Sequence, residues 1–214
     1  FVVLTEEDKA NWGDMDNICV IPNASTFQNA QTSLLTVPKV IAVGRYDYQK
    51  GFDRLIMAWK KVTEIISGWH LDIIGDGSKC QELQSLIQQQ GMEKHISLIK
   101  PTSHIDSTYL DASILALTSH YEGLPMVLIE AQSFGLPIVA FNCKCGPTDV
   151  VTDGVDGFLV PEGDIEALAN RLIILMQNVS LRKDMGQWAK RASLRYEETS
   201  IMNKWMELFH TITK

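Results

Sequence analysis

Apolar residues along this chain fall into two alternating patterns. Short continuous blocks predict buried strands at 39–43, 71–74, 96–99, 114–117, 138–141 and 157–160. Apolar residues at helical spacing predict helices between them, at 52–66, around 83–87, and at 105–112, 125–134 and 164–176. The block at 114–117 is apolar at every position, as expected of a strand that is covered on both faces. The alternation predicts an α/β domain built on a Rossmann-like, doubly wound parallel sheet.

The segments that flank this alternation predict shorter additions. Apolar blocks at 1–4 and 18–21, with a capping-box pattern at Thr5 between them, predict a strand, a short helix and a second strand. We therefore divide the chain into a remnant of a preceding domain at 1–23, a polar linker at 24–37, the Rossmann-like domain at 38–198 and a C-terminal helix at 199–214. Because the first residue is Phe1 rather than Met, we expect a longer or processed chain.

Two further helices are predicted after the last strand, at 181–195 and 199–212. The second of them carries an apolar stripe made of Met202, Trp205, Met206 and Phe209. Another surface has to cover a stripe of this kind. We expect that surface to be either the core of the same domain or the domain that precedes residue 24.

Composition narrows the class of protein. A hydrophobic fraction of 45% and a charged fraction of 21% are typical of a globular chain, and a net charge of -7 disfavours a nucleic-acid partner. The four cysteines lack the spacing of a zinc site, so we expect buried, reduced thiols in a cytoplasmic protein. No transmembrane run and no signal peptide are found in the sequence.

The first candidate site follows the strand at 39–43. Gly44 and Gly51 enclose a loop that carries Arg45 and Lys50 and leads into a helix. Glycines allow close approach of a ligand to the backbone, and a helix N-terminus adds free N–H groups and partial positive charge. The loop therefore predicts an anion site, although solvated loop charges would account for the same residues equally well.

The second candidate site follows the strand at 114–117. Glu122 lies at the tip of a loop, Gly123 permits an unusual backbone conformation, and amides near Leu124 and Met126 open a helix that carries Glu130. Carboxylates accept hydrogen bonds from hydroxyl groups. Two carboxylates beside two cations therefore suit a ligand that has both hydroxyl and phosphate groups. Alternatively, Glu122 is a surface charge and Glu130 a favourable acid near a helix start.

These motifs resemble those of a known family. The setting S-x-x-E-G-L-P-M-V-L-I-E-A resembles the Glu-x7-Glu signature of the large retaining glycosyltransferase family of the two-domain GT-B type, glycosyl transferases group 1. The loop V-G-R-Y-D-Y-Q-K-G-F-D is similar to the phosphate loop of that family, which includes many lipopolysaccharide, capsule and glycolipid enzymes. Three further stretches at 75–77, 133–140 and 153–160 match it in the right order. The resemblance implies the C-terminal, nucleotide-sugar-binding domain of a GT-B fold.

The resemblance also implies roles for the matching residues. Arg45 and Lys50 would hold the diphosphate, Glu122 would contact hydroxyls of the donor sugar, and Glu130 would hold the ribose hydroxyls. The implied catalytic residues are Arg45, Lys50 and Glu122. The implied nucleotide-sugar-binding residues are Gly44, Arg45, Lys50, Ile99, Lys100, Glu122, Gly123, Leu124, Met126, Val127 and Glu130. Asp149 stands where the family usually has a longer acidic residue.

The implied reaction is transfer of a hexose or N-acetylhexosamine from a nucleotide sugar, UDP-linked, with retention of anomeric configuration. Fixed cations and helix-end amides would stabilise the departing diphosphate, so no metal cofactor is expected. The acceptor would be a glycan or a lipid-linked glycan of polysaccharide or lipopolysaccharide biosynthesis, bound by the missing N-terminal domain at the inner face of the membrane. A non-catalytic nucleotide-sugar-binding module and a GT-B-type epimerase or phosphorylase remain as alternatives.

Overall fold

The computed structural model describes residues 1–13, 15 and 17–213, and shows an α/β architecture built on two parallel sheets. The small sheet contains β1 (Val2–Val3) and β2 (Cys19–Val20). The large sheet contains β3 (Lys39–Val43), β4 (His70–Ile74), β5 (Ile96–Ile99), β6 (Ile114–Leu117), β7 (Ile138–Asn142) and β8 (Gly157–Pro161). The helices are α1 (Glu6–Asn11), α2 (Phe52–Ile65), α3 (Cys80–Gln89), α4 (Ile105–Leu110), α5 (Met126–Ser133), α6 (Pro147–Val150), α7 (Ile165–Gln177), α8 (Val179–Ser193) and α9 (Glu198–Ile212).

The strand order of the large sheet is β5-β4-β3-β6-β7-β8, and every pair is parallel. This is the order of a doubly wound Rossmann sheet, in which the chain moves outward in one direction and then returns to the centre to move outward in the other. The predicted fold class is therefore confirmed. Because the direction reverses between β3 and β6, the helices that follow these two strands, α2 and α5, pack on opposite faces of the sheet, and a crevice opens at the strand ends.

The core lies on both faces of the large sheet, as the continuous apolar strands predicted. One face packs against α2, α3 and α7, with Leu55, Ile56 and Trp59 fully buried. The other packs against α4 and α5, with Tyr109 and Leu128 fully buried. Within the described part of the chain, no helix has the length and apolar composition to cross a bilayer.

The helix α6 was not predicted, because a four-residue helix is too short to show a periodic pattern. The sequence around Gly146 and Pro147 indicated only a turn, and Pro147 occupies the first position of this helix. The predicted helix at 181–195 is α8 followed by a 3-10 turn at Leu194–Tyr196. Both differences occur at short, tight connections, where hydrophobic periodicity carries little information.

The polar segment at 24–37 has no helix or strand, yet it is fastened to the domain. The Ser33 N–H donates to the Phe134 carbonyl at 2.9 Å, and the Ser33 hydroxyl donates to the Ala112 carbonyl at 2.6 Å. Leu35 is buried with a positive φ of 56°. The segment therefore follows the domain surface closely. The division at residues 23, 37 and 198 stays a prediction.

The apolar stripe of α9 is not covered by the core of its own domain, which was one of the two expectations. Of this helix only Ile201 is buried, whereas Met202, Met206 and Phe209 remain about half exposed. The cysteine expectation needs a similar correction. All four thiols are free, but only Cys143 is buried, and Cys19, Cys80 and Cys145 are half-buried.

Candidate functional site

The two candidate loops meet at the crevice between β3 and β6. Hydrogen bonds to main-chain carbonyls of the first loop join them: the His120 N–H donates to the Gln49 carbonyl at 2.8 Å, and the Thr118 hydroxyl donates to the Lys50 carbonyl at 3.2 Å. Gly51 has a left-handed φ of 58° and lies against the Thr118 carbonyl, where a side chain would collide. The tertiary structure thus joins two loops that lie far apart in the sequence into one unit.

The centre of this unit is an ion pair between Lys50 and Glu122. The Lys50 ammonium lies 2.8 Å from Oε1 of Glu122, and the Ser119 hydroxyl donates to the same oxygen at 2.6 Å. The Glu122 side chain is only 6% exposed and that of Lys50 only 16%. Charges this deeply buried are tolerated because they neutralise each other and are hydrogen-bonded. The structure brings together the cation and the carboxylate that the sequence placed in separate motifs.

Arg45 does not join this pair. Its side chain is 73% exposed and contacts the carboxylate of Asp47 at 3.3 Å and the amide oxygen of Gln49 at 3.2 Å. Gly44 lies close to Lys50, because an added Cβ would meet the aliphatic part of the Lys50 side chain at 3.1 Å. Gly44 therefore makes room for Lys50, and Arg45 is an exposed cation at the rim of the crevice.

The start of α5 presents the predicted amides. Met126 and Val127 belong to the first turn of this helix, so their N–H groups have no carbonyl partner within it. Gly123 has neither a left-handed φ nor a neighbour within 4 Å of an added Cβ, so the expected unusual backbone conformation at Gly123 is wrong. The crowded position is Gly146 instead, where φ is 98° and a Cβ would lie 2.5 Å from Pro125. Pro125 itself is the N-cap residue rather than the first helical residue.

Glu130 lies one further turn along α5 and has a different partner. Its Oε2 atom accepts a hydrogen bond from the hydroxyl of Tyr109 at 2.7 Å. Tyr109 comes from α4, the helix that precedes β6, and its side chain is fully buried. The two predicted carboxylates, Glu122 and Glu130, are therefore held separately, one by a cation and the other by a buried phenol.

Two cavities lie near the carboxyl ends of the strands. A cavity of about 480 Å³ is lined by Gly44, Arg45, Pro101 and Thr102, among others. A second cavity, of about 540 Å³, lies between β5 and α3 and is lined by Ile99 and Lys100. Gly75 and Asp76 line both cavities, so Ile99 and Lys100 lie next to the cavity that Arg45 lines. The Ile99 carbonyl is also occupied, because it accepts from the Tyr46 hydroxyl and from the Gly75 N–H.

Asp149 and His120 take structural positions beside the site. The Asp149 carboxylate accepts from the Glu6 N–H at 2.7 Å, which fastens α1 to the start of α6. The His120 ring stacks on Tyr48, with ring centres 4.1 Å apart and nearly parallel planes. Partial burial, followed by the positive charge of Arg54, lowers the pKa of His120.

Sequence reasoning missed Tyr109, Ser119 and Arg54. Arg54 donates to the carboxylate of Glu162 and to the carbonyl of Thr118, and its guanidinium lies over the ring of Phe141. One pattern could have drawn attention to it: a cation in the first turn of a helix is unfavourable for the helix dipole, so a specific partner is expected. No sequence pattern indicates Tyr109 or Ser119, because their hydrogen bonds depend on how separate parts of the chain pack together.

Comparison with known proteins decides the family. The model of the family described as glycosyl transferases group 1 matches residues 25–192. The chain belongs to this family. A relative is the amylovoran biosynthesis glycosyltransferase AmsD of Erwinia amylovora, 36% identical over 220 residues, which cover 98% of this chain and 61% of AmsD. Another is the poly(ribitol-phosphate) alpha-N-acetylglucosaminyltransferase of Staphylococcus aureus, 29% identical over 98% of this chain and 43% of that protein.

The fold comparison agrees with this assignment. A point mutant of S. aureus TarM, solved in complex with fondaparinux, alpha-GlcNAc-glycerol and UDP, superposes with a TM-score of 0.90 and is 30% identical. The match covers 97% of this chain and 43% of TarM. The chain thus spans about three-fifths or less of the length of these relatives.

Proposed function

We propose that this chain is the donor-binding half of a retaining glycosyltransferase that uses a nucleotide sugar, UDP-linked, in polysaccharide or lipopolysaccharide biosynthesis. The observation that carries the proposal is the buried Lys50–Glu122 pair at the crevice between β3 and β6, with the free amides of α5 beside it. An ammonium group and helix-end amides form an anion site, and a carboxylate next to them forms a site for sugar hydroxyls.

The two carboxylate oxygens of Glu122 have different surroundings, and we assign them different roles. Lys50 and Ser119 both contact Oε1 of this carboxylate, and the other oxygen, Oε2, has no hydrogen-bond partner among the described residues. We assign that oxygen to the donor-sugar hydroxyls. The same ion pair holds the Lys50 ammonium at a fixed point, where it stabilises the charge that develops on the departing diphosphate. Arg45, with its exposed side chain, would close on the diphosphate from the rim.

The remaining parts of the donor follow from the neighbouring elements. Glu130 would accept hydrogen bonds from the ribose, and the amides of Gly123, Leu124, Met126 and Val127 would contact phosphate and sugar. The base would lie at the end of β5, near Ile99, Lys100 and Pro101, where two adjoining cavities of about 540 and 480 Å³ share Gly75 and Asp76. UDP is proposed because the TarM structure contains it.

The proposed reaction retains the anomeric configuration. The acceptor hydroxyl would attack the anomeric carbon from the face that the diphosphate leaves, and the departing phosphate would take the proton of that hydroxyl. Neither carboxylate then has to act as a nucleophile. Because side chains and amides supply the positive charge, we propose that no metal ion is required. Unchanged UDP binding in the presence of EDTA would support this, whereas a loss would contradict it.

The acceptor is proposed from the relatives. AmsD is named for amylovoran biosynthesis, and a Campylobacter jejuni relative, 28% identical, is named for transfer to a glycan on PP-undecaprenol. We propose a glycan or lipid-linked glycan acceptor, bound by a preceding domain, and an enzyme that works in the cytoplasm at the inner face of the membrane. The exposed stripe of α9 would face that domain.

Ligand-dependent unfolding tests the donor assignment. The 214-residue chain is heated with UDP, UDP-glucose, UDP-N-acetylglucosamine, GDP-mannose or CMP-sialic acid. A ligand present at about a hundred times its dissociation constant should stabilise the fold by ~2.7 kcal/mol. We expect stabilisation by the UDP compounds and no sugar transfer by this chain alone. The absence of any nucleotide effect would overturn the proposal, and turnover would contradict the need for a second domain.

A further inference from the structure

Glu130 is held by a residue that no motif contains. The Tyr109 hydroxyl donates to Oε2 of Glu130 at 2.7 Å. The Tyr109 ring is fixed on two sides: it stacks on Phe134, with ring centres 5.1 Å apart and planes 9° from parallel, and it meets the edge of Phe27 at 5.9 Å. The phenol therefore has one position, set by the packing of α4 against α5.

In this hydrogen bond Tyr109 is always the donor and Glu130 always the acceptor. The Tyr109 side chain has no exposed surface, and burial, followed by the nearby charge of Glu130, raises the pKa of its hydroxyl well above the ordinary value. The hydroxyl thus keeps its proton at any physiological pH and always donates. Glu130 is half-buried, and its other oxygen, Oε1, has no hydrogen-bond partner among the described residues, so it is left to accept from a ligand.

We propose that Tyr109 is a positioning residue that holds the Glu130 carboxylate in the orientation needed to accept hydrogen bonds from ribose hydroxyls, so that the site prefers ribonucleotides to 2′-deoxyribonucleotides. This inference rests on the proposed function, which assigns Glu130 to the ribose. A glutamate side chain has several rotatable bonds, and ordering it on binding costs free energy. Because Tyr109 already orders it, that cost is lower for a ribose with both hydroxyls.

The test measures the ratio of affinities for UDP and 2′-deoxy-UDP by calorimetry on the 214-residue chain. Tyr109→Phe keeps the ring stack on Phe134 and removes only the hydroxyl. Wild type should prefer UDP, and Tyr109→Phe should reduce that preference by about tenfold, which corresponds to ~1.4 kcal/mol. Glu130→Ala should abolish the preference, and adding Tyr109→Phe to Glu130→Ala should change nothing more.

Tyr196→Phe is the matched control. Tyr196 is also a buried tyrosine with a hydrogen-bonded hydroxyl, but its partner is the Asp149 carbonyl at 3.1 Å. It should leave the ratio of affinities unchanged. If Tyr109 had a purely structural role, Tyr109→Phe would weaken the binding of both nucleotides alike and leave the ratio of their affinities unchanged.

The outcomes distinguish a failure of the proposed donor site from a failure of the positioning role of Tyr109. If wild type binds neither nucleotide, the proposed donor site is wrong, and if it binds both equally, the ribose assignment of Glu130 is wrong. Either result overturns the inference as well. If wild type prefers UDP, Glu130→Ala abolishes the preference and Tyr109→Phe retains it, then only the positioning role is overturned.

Discussion

Lys50 is more deeply buried than lysines usually are, and the reason is its partner. An ammonium group loses hydration when it is buried, and Glu122 compensates for that loss at 2.8 Å. Removing one member would leave the other charge buried without a partner, which costs more than the pair itself contributes. The pair is therefore sensitive to single substitutions, for stability and for ligand binding alike.

Lys50→Ala should lower the free energy of unfolding by about 3 kcal/mol, because Glu122 loses its counter-charge. It should also weaken UDP binding at least about tenfold, as expected when a charged contact worth about 1.5 kcal/mol or more is lost. Urea unfolding and calorimetry measure the two effects. Lys61→Ala is the control, since Lys61 forms a 2.7 Å ion pair with Glu166 on the surface. Equal effects of the two substitutions would contradict the special position of Lys50.

Substitution by alanine should change the stability differently at two glycines near the site. Gly146→Ala introduces a side chain at a φ of 98° and against Pro125, so we expect a loss of about 1 to 3 kcal/mol in unfolding free energy. Gly123→Ala meets open space and should leave stability nearly unchanged. Thermal unfolding of both variants decides the matter, and the reverse ranking would show that the local backbone differs from the structure.

At the level of elements, α7 ends against a buried arginine from the next helix. The Arg182 guanidinium donates to the carbonyls of Leu175 at 2.6 Å and Met176 at 3.2 Å, which lie in the last turn of α7 and have no intrahelical donor. It also donates to the Leu35 carbonyl at 3.1 Å. One side chain thus caps a helix and fastens the polar segment at 24–37.

Arg182→Met should destabilise the fold by about 2 to 4 kcal/mol, because three carbonyls lose a charged donor in a buried place. Methionine has a similar length and keeps most of the packing, so the loss reports the hydrogen bonds. Arg191→Met serves as the control, since Arg191 is exposed and lies over Trp188. That substitution should change stability by less than about 0.5 kcal/mol. Denaturant midpoints that shift equally would contradict the capping role.

At the level of the whole molecule, the burial of one thiol, that of Cys143, makes the free energy of unfolding depend on pH in the alkaline range. Desolvation, followed by the charge of Glu122, raises the pKa of Cys143 to about 12. The unfolded thiol loses its proton near its ordinary value of 9.0, whereas the folded thiol keeps it. Between these values the unfolded state binds fewer protons than the folded state, so the free energy of unfolding falls as pH rises.

Cys143→Ala should remove this contribution. The free energy of unfolding of wild type should fall more steeply than that of the variant between about pH 9 and pH 12, by at most ~1.4 kcal/mol per pH unit. The two proteins should run in parallel below pH 8. Urea unfolding at stepped pH values measures the difference. Parallel curves across the whole range would show that the thiol of Cys143 is not protected.

The amino-acid sequence alone was enough to predict the class of fold, the strand positions and the two loops that carry Lys50 and Glu122. Apolar periodicity records which faces are buried, and glycines and charges at strand ends mark where a ligand approaches. Tertiary structure alone decided that Lys50 pairs with Glu122, that Arg45 stays outside, and that Tyr109 rather than a cation holds Glu130. The reason is physical: strand adjacency and helix packing bring side chains together across many residues, and no local pattern encodes those contacts.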